Sequence, residues 1–187
     1  MEWQGLIASI KSKNIAYAEN GSVAARSTFK VGGKVRLALF PDTQEKLVQC
    51  LEALRKSTVR YEIIGNASNM LFAFDFFDGV FVFTGGVANI VPEDNGIYAD
   101  CGASLIAISR LAKDNSLSGF EFAYGIPGLV GGSVYMNAGA YGSQISAVLE
   151  YSDAFDMESG EIKRIYDHEF DYRYSVYMKN KNLVVRE

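Results

Sequence analysis

GIPGLVGGSVYMNAGAYG, Gly125 to Gly142, contains six glycines among eighteen residues, while Ile, Leu, Val and Tyr fill much of the rest. Glycine in quantity weakens helices and strands, so such a run needs turns at positive φ or a partner that lies close against the main chain. Gly128, Gly131, Gly132 and Ser133 fall near a candidate helix or turn start, where exposed N–H groups favour phosphate oxygens. Read alone, close packing of chain against chain accounts for the same residues equally well.

A second run of small residues, Gly65-Asn66-Ala67-Ser68-Asn69, follows directly on the apolar Ile63-Ile64. Successive main-chain amides can converge on an anion in such a loop, and Asn66, Ser68 and Asn69 add neutral donors. These are also the residues of an ordinary surface turn, which is the simpler reading of the five alone. Two such loops could grip a pyrophosphate. Neither is the GxGxxG of a dinucleotide-binding βαβ unit or the GxxxxGK[ST] of a P-loop, since both lack lysine and no acidic residue sits at the expected later position.

Composition narrows the partners. Eighteen basic and twenty-two acidic residues give a net charge of −4, so no overall field gathers nucleic acid or an anionic membrane, and any phosphate must be held locally. The aromatic residues are scattered without an interleaved basic patch, which argues against a nucleic-acid stacking platform. Cys50 and Cys101 have no CxxC partner and read as reduced, buried thiols, pointing to a cytoplasmic setting. The first twenty residues hold neither a signal peptide nor a membrane span. His168 is the sole histidine, so no multi-histidine metal site is expected; in IYDHEF it reads as a solvated strand end without a role.

Periodicity predicts a short helix carrying Trp3, Leu6, Ile7 and Ile10, and a second after Pro41 with Asp42 as cap and Glu45 at its third position. Strands are predicted over 60–64 and 79–83, with Asp75 and Asp78 in a packed loop that turns at Asp78-Gly79. A third helix is predicted from Ser104, as cap, to about Asn115, and a late hairpin turning at Ser159-Gly160. Early strand-helix-strand spacing followed by hairpins gives an α+β protein of two lobes, 1–85 and 86–187.

Four segments, STFKVGG (27–33), IIGNASNMLF (63–72), GFEFAYGIPGLVGGSVYMNAGAYG (119–142) and FDYRYSVY (170–177), closely resemble the UDP-N-acetylenolpyruvoylglucosamine reductase family in content and order. The resemblance implies a two-lobed FAD-binding domain of the vanillyl-alcohol oxidase (PCMH) type. By that likeness Gly65, Asn66, Ala67, Ser68, Asn69 and Met70 line the pyrophosphate. Ile126, Pro127, Gly128, Gly131, Gly132, Ser133, Asn137 and Gly139 lie near the flavin, with Leu129, Val130 and Tyr135 filling in around it. It further implies an oxidoreductase of cytoplasmic peptidoglycan synthesis that takes NADPH and a UDP-sugar enolpyruvate, with Arg173 as catalytic residue and Tyr172 beside the substrate. On residue type alone, a Tyr-Arg pair on a half-buried strand packs its ring and solvates its guanidinium; the resemblance reverses that reading.

Two departures qualify the likeness. Ala67 stands where the family commonly has glycine, which predicts a backbone that is not strongly left-handed there. The family's third region, with a serine proton donor in a motif resembling GSFFKNP and a late glutamate, has no counterpart before Glu187. The expectation is an FAD-binding portion that binds FAD with little or no turnover. The alternatives are a non-catalytic scaffold that keeps the fold, or another oxidoreductase of the same flavoprotein superfamily, against which DYRYS weighs.

Overall fold

The computed structural model describes residues 3–179 and 182–186. The chain divides into two compact units, Met1–Val87 and Ala88–Glu187.

In the first unit, helix α1 (Trp3–Ser12) sinks Leu6 and Ile10 as its apolar spacing predicts. Strands β1 (Ala16–Ser22) and β2 (Lys34–Phe40) pair antiparallel. Helix α2 (Gln44–Arg55) buries Leu47, Cys50, Leu51 and Leu54, four positions on one face. Its cap is Thr43 and not Asp42: the Thr43 hydroxyl accepts the Lys46 amide at 3.2 Å, while the Asp42 carboxylate pairs with the Lys46 ammonium at 2.8 Å. Strands β3 (Tyr61–Ile64) and β4 (Phe76–Phe83) complete a sheet of order β1-β2-β4-β3, in which β4 runs parallel to both neighbours.

β4 starts earlier than the sequence predicts, and Asp78-Gly79 is not a turn. Val35 pairs with Phe77 and Leu37 with Val80, so β4 carries one extra residue there, a bulge. Gly79 is required at it, because a Cβ would stand 2.7 Å from the Arg60 carbonyl oxygen and 2.2 Å from the Phe77 ring. Asp78 is held by Arg36 at 2.7 Å. Over the sheet, Phe72, Phe74, Phe77 and Phe81 interlock with centroids 4.8 to 6.1 Å apart, which seats the loop between β3 and β4 on the core.

The second unit opens with the hairpin β5 (Ile90–Glu93) and β6 (Gly96–Ala99), followed by helix α3 (Leu105–Asp114). Ser104 occupies the cap position of α3, but its hydroxyl makes no capping bond; instead its main chain bridges Leu129. A short helix α4 (Val130–Tyr135) and the two-residue strands β7 (Gly139–Ala140) and β8 (Ser143–Gln144) follow. Strands β9 (Ser152–Asp156), β10 (Ile162–Ile165) and β11 (Asn182–Arg186) form an antiparallel sheet of order β10-β9-β11. The predicted hairpin at Ser159-Gly160 is the β9–β10 connection, with Gly160 at φ +80°. The core of this unit gathers Leu105, Ile108, Phe122, Val130, Val134, Ile145, Ala154 and Tyr177.

Candidate functional site

In the first unit, β3 delivers the chain into the small-residue loop at Gly65. Ala67 lies at φ +52°, so the backbone is left-handed there despite the methyl group, contrary to the sequence expectation. The methyl is buried beside Phe72 in the phenylalanine cluster, and apolar packing offsets the conformational cost. With Ala67 and Phe72 pinned, the segment between them faces outward. Among the described residues, the amides of Ala67, Ser68 and Asn69 donate to no protein acceptor. The STFKVGG segment braces the same loop through the Thr28 hydroxyl, which reaches the Asn66 carbonyl at 3.4 Å, and just beyond it the Lys34 amide donates to the Asp75 carbonyl at 2.9 Å. A Cβ on Gly33 would stand 2.0 Å from that Asp75 oxygen, so only glycine permits the approach.

In the second unit, the glycine-rich stretch runs against 101–105. Leu105 donates to Gly128, Val130 to Ala103 and Gly131 to Cys101, at 2.9 to 3.2 Å. The Ser133 amide and hydroxyl both go to the Leu129 carbonyl. Of the residues expected to expose amides here, Gly128 and Gly132 keep one without an acceptor among the described residues, while those of Gly131 and Ser133 are bonded within the chain. Gly131 is a contact glycine, since a Cβ would meet that of Cys101 at 2.9 Å; on Gly139 it would meet the Ser143 carbonyl oxygen at 2.6 Å. Gly132 differs, with nothing within 4 Å of a built Cβ. Close packing therefore explains much of this stretch. Val130, expected beside the flavin, is a core residue at 2% exposure, and Ile126 packs against the same core, whereas Pro127 is exposed.

Arg173 and Tyr172 are not on a half-buried strand. They form the exposed tip of a reverse turn closed by reciprocal bonds between Asp171 and Tyr174, 3.2 Å each way, with Arg173 at φ +51°. The turn is anchored to the end of the glycine-rich stretch. Asn137 Nδ2 donates to the Asp171 carbonyl at 3.0 Å, and the buried Ser175 hydroxyl donates to the Tyr135 carbonyl at 2.8 Å. The structure thus brings Asn137 and Arg173 together. Among the described residues Arg173 makes no ion pair.

His168 is buried and not a solvated strand end: it is 4% exposed and stacks on Phe170 at 4.9 Å. Its Nε2 lies 3.2 Å from the Ser152 hydroxyl, which also bonds the Tyr177 phenol. Burial pushes its pKa below the usual histidine value, opposed by a hydrogen bond to the Tyr166 main chain and by the Asp167 carboxylate. His168 and Tyr177 flank the turn that carries Arg173, so Ser152 ties the two ends of that segment to β9. Only the polar run Asp167-His168 could have signalled this, and it looks the same as a surface strand end. An open cavity of about 250 Å³ in this unit is lined by Tyr98, Leu105, Ile108, Val130, Ile145 and Tyr151 among others; Gly132, Asn137 and Arg173 lie outside it.

The FAD binding domain family matches residues 35–166. The chain belongs to that family. An FAD-binding domain of this kind agrees with the outward amides at 67–69 and with the α+β architecture. UDP-N-acetylenolpyruvoylglucosamine reductase of Caldicellulosiruptor saccharolyticus is 36% identical over 178 residues, 95% of this chain and 57% of the relative. The protein of the same name from Clostridium beijerinckii is 39% identical over 160 residues, 84% of this chain and 52% of the relative. The chain thus spans a little over half the length of these relatives. Among solved structures, the Thermus caldophilus reductase of that name superposes with a TM-score of 0.72 at 24% identity, over 92% of this chain and 60% of the other. Glucooligosaccharide oxidase from Acremonium strictum gives 0.68 at 14%, over 90% and 37%. These two likenesses concern the fold alone, and with the family match they make it the FAD-binding fold of the vanillyl-alcohol oxidase type.

Proposed function

We propose that this chain is the FAD-binding part of a reductase that converts UDP-N-acetylglucosamine enolpyruvate to UDP-N-acetylmuramate, drawing electrons from NADPH, in the cytoplasmic stage of peptidoglycan synthesis. The observation that carries the proposal is the loop after β3, where three successive amides around a left-handed Ala67 have no protein acceptor. Successive main-chain amides left without a protein acceptor suit a diphosphate without needing a lysine, in keeping with the net charge of −4. Identity of 36% and 39% to reductases of this name supports the choice of substrate.

In this reading Gly65 to Met70 hold the diphosphate, and Gly132 lets the cofactor approach the α4 main chain closely. Bound there, FAD supplies hydride transfer between the nicotinamide and the enolpyruvyl carbon. Arg173 meets the substrate carboxylate through the two parallel hydrogen bonds that a guanidinium fork allows. A guanidinium so placed is suited to stabilise negative charge as it develops on the carboxylate-bearing carbon. Tyr172, 84% exposed at the same tip, is free to pack against the substrate.

The visible spectrum of the purified chain tests the proposal. Flavin absorbance that co-purifies, or that is retained after FAD is added and the unbound fraction removed, is expected. A colourless chain that leaves all added FAD in the filtrate sinks the reading.

A further inference from the structure

Arg173 holds a backbone conformation that side chains other than glycine and asparagine rarely adopt, at φ +51° on an exposed tip. Such a conformation persists only where the surroundings over-determine it. The two reciprocal bonds of the turn are long, at 3.2 Å each, and the Asp171 carboxylate accepts the Tyr172 amide at 2.6 Å. A further constraint comes from outside the turn. The Asp171 carbonyl accepts a second hydrogen bond, from Asn137 Nδ2 at 3.0 Å, and Asn137 is only 2% exposed.

Asn137 is itself fixed. Its Oδ1 accepts the Ser146 amide at 3.0 Å, its own amide donates to Val134 at 3.1 Å, and its φ is +42°. Both side-chain heteroatoms are thus engaged by the protein, one by the segment after β8 and one by the turn. Asparagine suits the position twice over, tolerating the left-handed backbone and presenting a donor and an acceptor on opposite sides of one planar group.

We propose that Asn137 is a positioning residue for Arg173, acting through the Asp171 carbonyl to set the turn that presents the guanidinium. The proposal rests on the reading above that Arg173 meets the substrate carboxylate, and it gives Asn137 a task other than contact with the flavin. Ser175, bonded to the Tyr135 carbonyl at 2.8 Å, provides a second tether on the far side of the turn.

Two variants test it. Asn137→Asp keeps the acceptor for Ser146 but sets an oxygen against the Asp171 carbonyl; Asn137→Gly tolerates the left-handed backbone and removes both bonds. Hydrogen exchange at the Tyr174 amide is expected to quicken roughly tenfold or more in both, the scale of one lost hydrogen bond, with α3 exchange unchanged. With FAD saturating, UDP-N-acetylglucosamine enolpyruvate titrated against the flavin absorbance is expected to bind roughly tenfold more weakly to Asn137→Asp. The double variant with Arg173→Ala should bind no more weakly than Arg173→Ala alone, since Asn137 acts only through Arg173. Unchanged exchange at Tyr174 in both variants overturns the proposal. So do additive losses in the double variant, or a flavin-loaded wild type that gives no response to the ligand. Failure of the wild type to take up FAD counts against the proposed function and leaves the exchange measurement to judge Asn137 separately.

Discussion

The two small-residue loops look interchangeable on paper, and the structure treats them in opposite ways. At 65–70 one side chain goes inward, that of Ala67 into the phenylalanine cluster, and three successive amides are left without a protein acceptor among the described residues. At 128–133 the main chain itself goes inward: the amides of Val130, Gly131 and Ser133 are consumed, and Gly131 lies against Cys101. Smallness therefore has two uses. It can bare a backbone for a ligand or let one backbone lie on another, and the acceptors of the amides decide which.

The sharpest way to break this contrast is to add bulk to each loop. Gly131→Val is expected to destabilise the second unit by about 3 kcal/mol, since the added carbons meet Cys101 in a packed interior. Thermal unfolding would record it as a fall of roughly 6 to 12 °C. Buried Cys101 should become reactive toward Ellman's reagent in the same variant, whereas Cys50, its thiol pushed up to about 12 by burial, should stay inert. Ala67→Val should cost about 2 kcal/mol, because a branched side chain is placed at positive φ. It should also abolish flavin uptake, and undiminished uptake would mean that this loop is not the diphosphate cradle.

Gly132→Ala sharpens the comparison by reversing the sign. The position is helical and open, so alanine is expected to stabilise the free chain by about 0.5 to 1 kcal/mol. FAD affinity should fall in the same variant if the cofactor lies there. A stabilised variant with unaltered affinity would make Gly132 a plain surface position.

The smallest effect expected is one of pH, and it separates the two units, since the sole histidine lies in the second. The folded pKa of His168 is lowered, so the unfolded chain binds the proton more readily. Its contribution to stability is fully present above the unfolded value of about 6.5 and is lost as pH falls toward the folded value. The melting temperature of the second unit should therefore decline modestly below neutrality. His168→Gln should flatten that decline, and an unflattened profile would assign it to other groups.

The sequence made the helices legible because their apolar spacing is regular, as at Leu47, Cys50, Leu51 and Leu54. It also made both loops visible as candidates. What it could not convey was destination: Gly131 and Gly132 are adjacent and chemically identical, yet one faces Cys101 and the other open space. The bulge at Asp78-Gly79 passed for a turn because turns and bulges favour the same residues. A Tyr-Arg pair carries no local sign of the Arg173 turn, which is fixed by bonds to Asn137 and Tyr135 that span 34 and 40 residues. At Ala67 the local backbone preference is outweighed by burial in the phenylalanine cluster, which the local sequence does not convey.

The seating of Ala67 and Phe72 in the core of the first unit has a kinetic corollary. The entropy of ordering the loop is lost when the first unit folds, not when a ligand arrives, so a diphosphate bound as proposed would meet a rim already in shape. Capture at such a rim should proceed at a rate set by encounter, with a simple linear dependence on cofactor concentration and no slow rearrangement behind it.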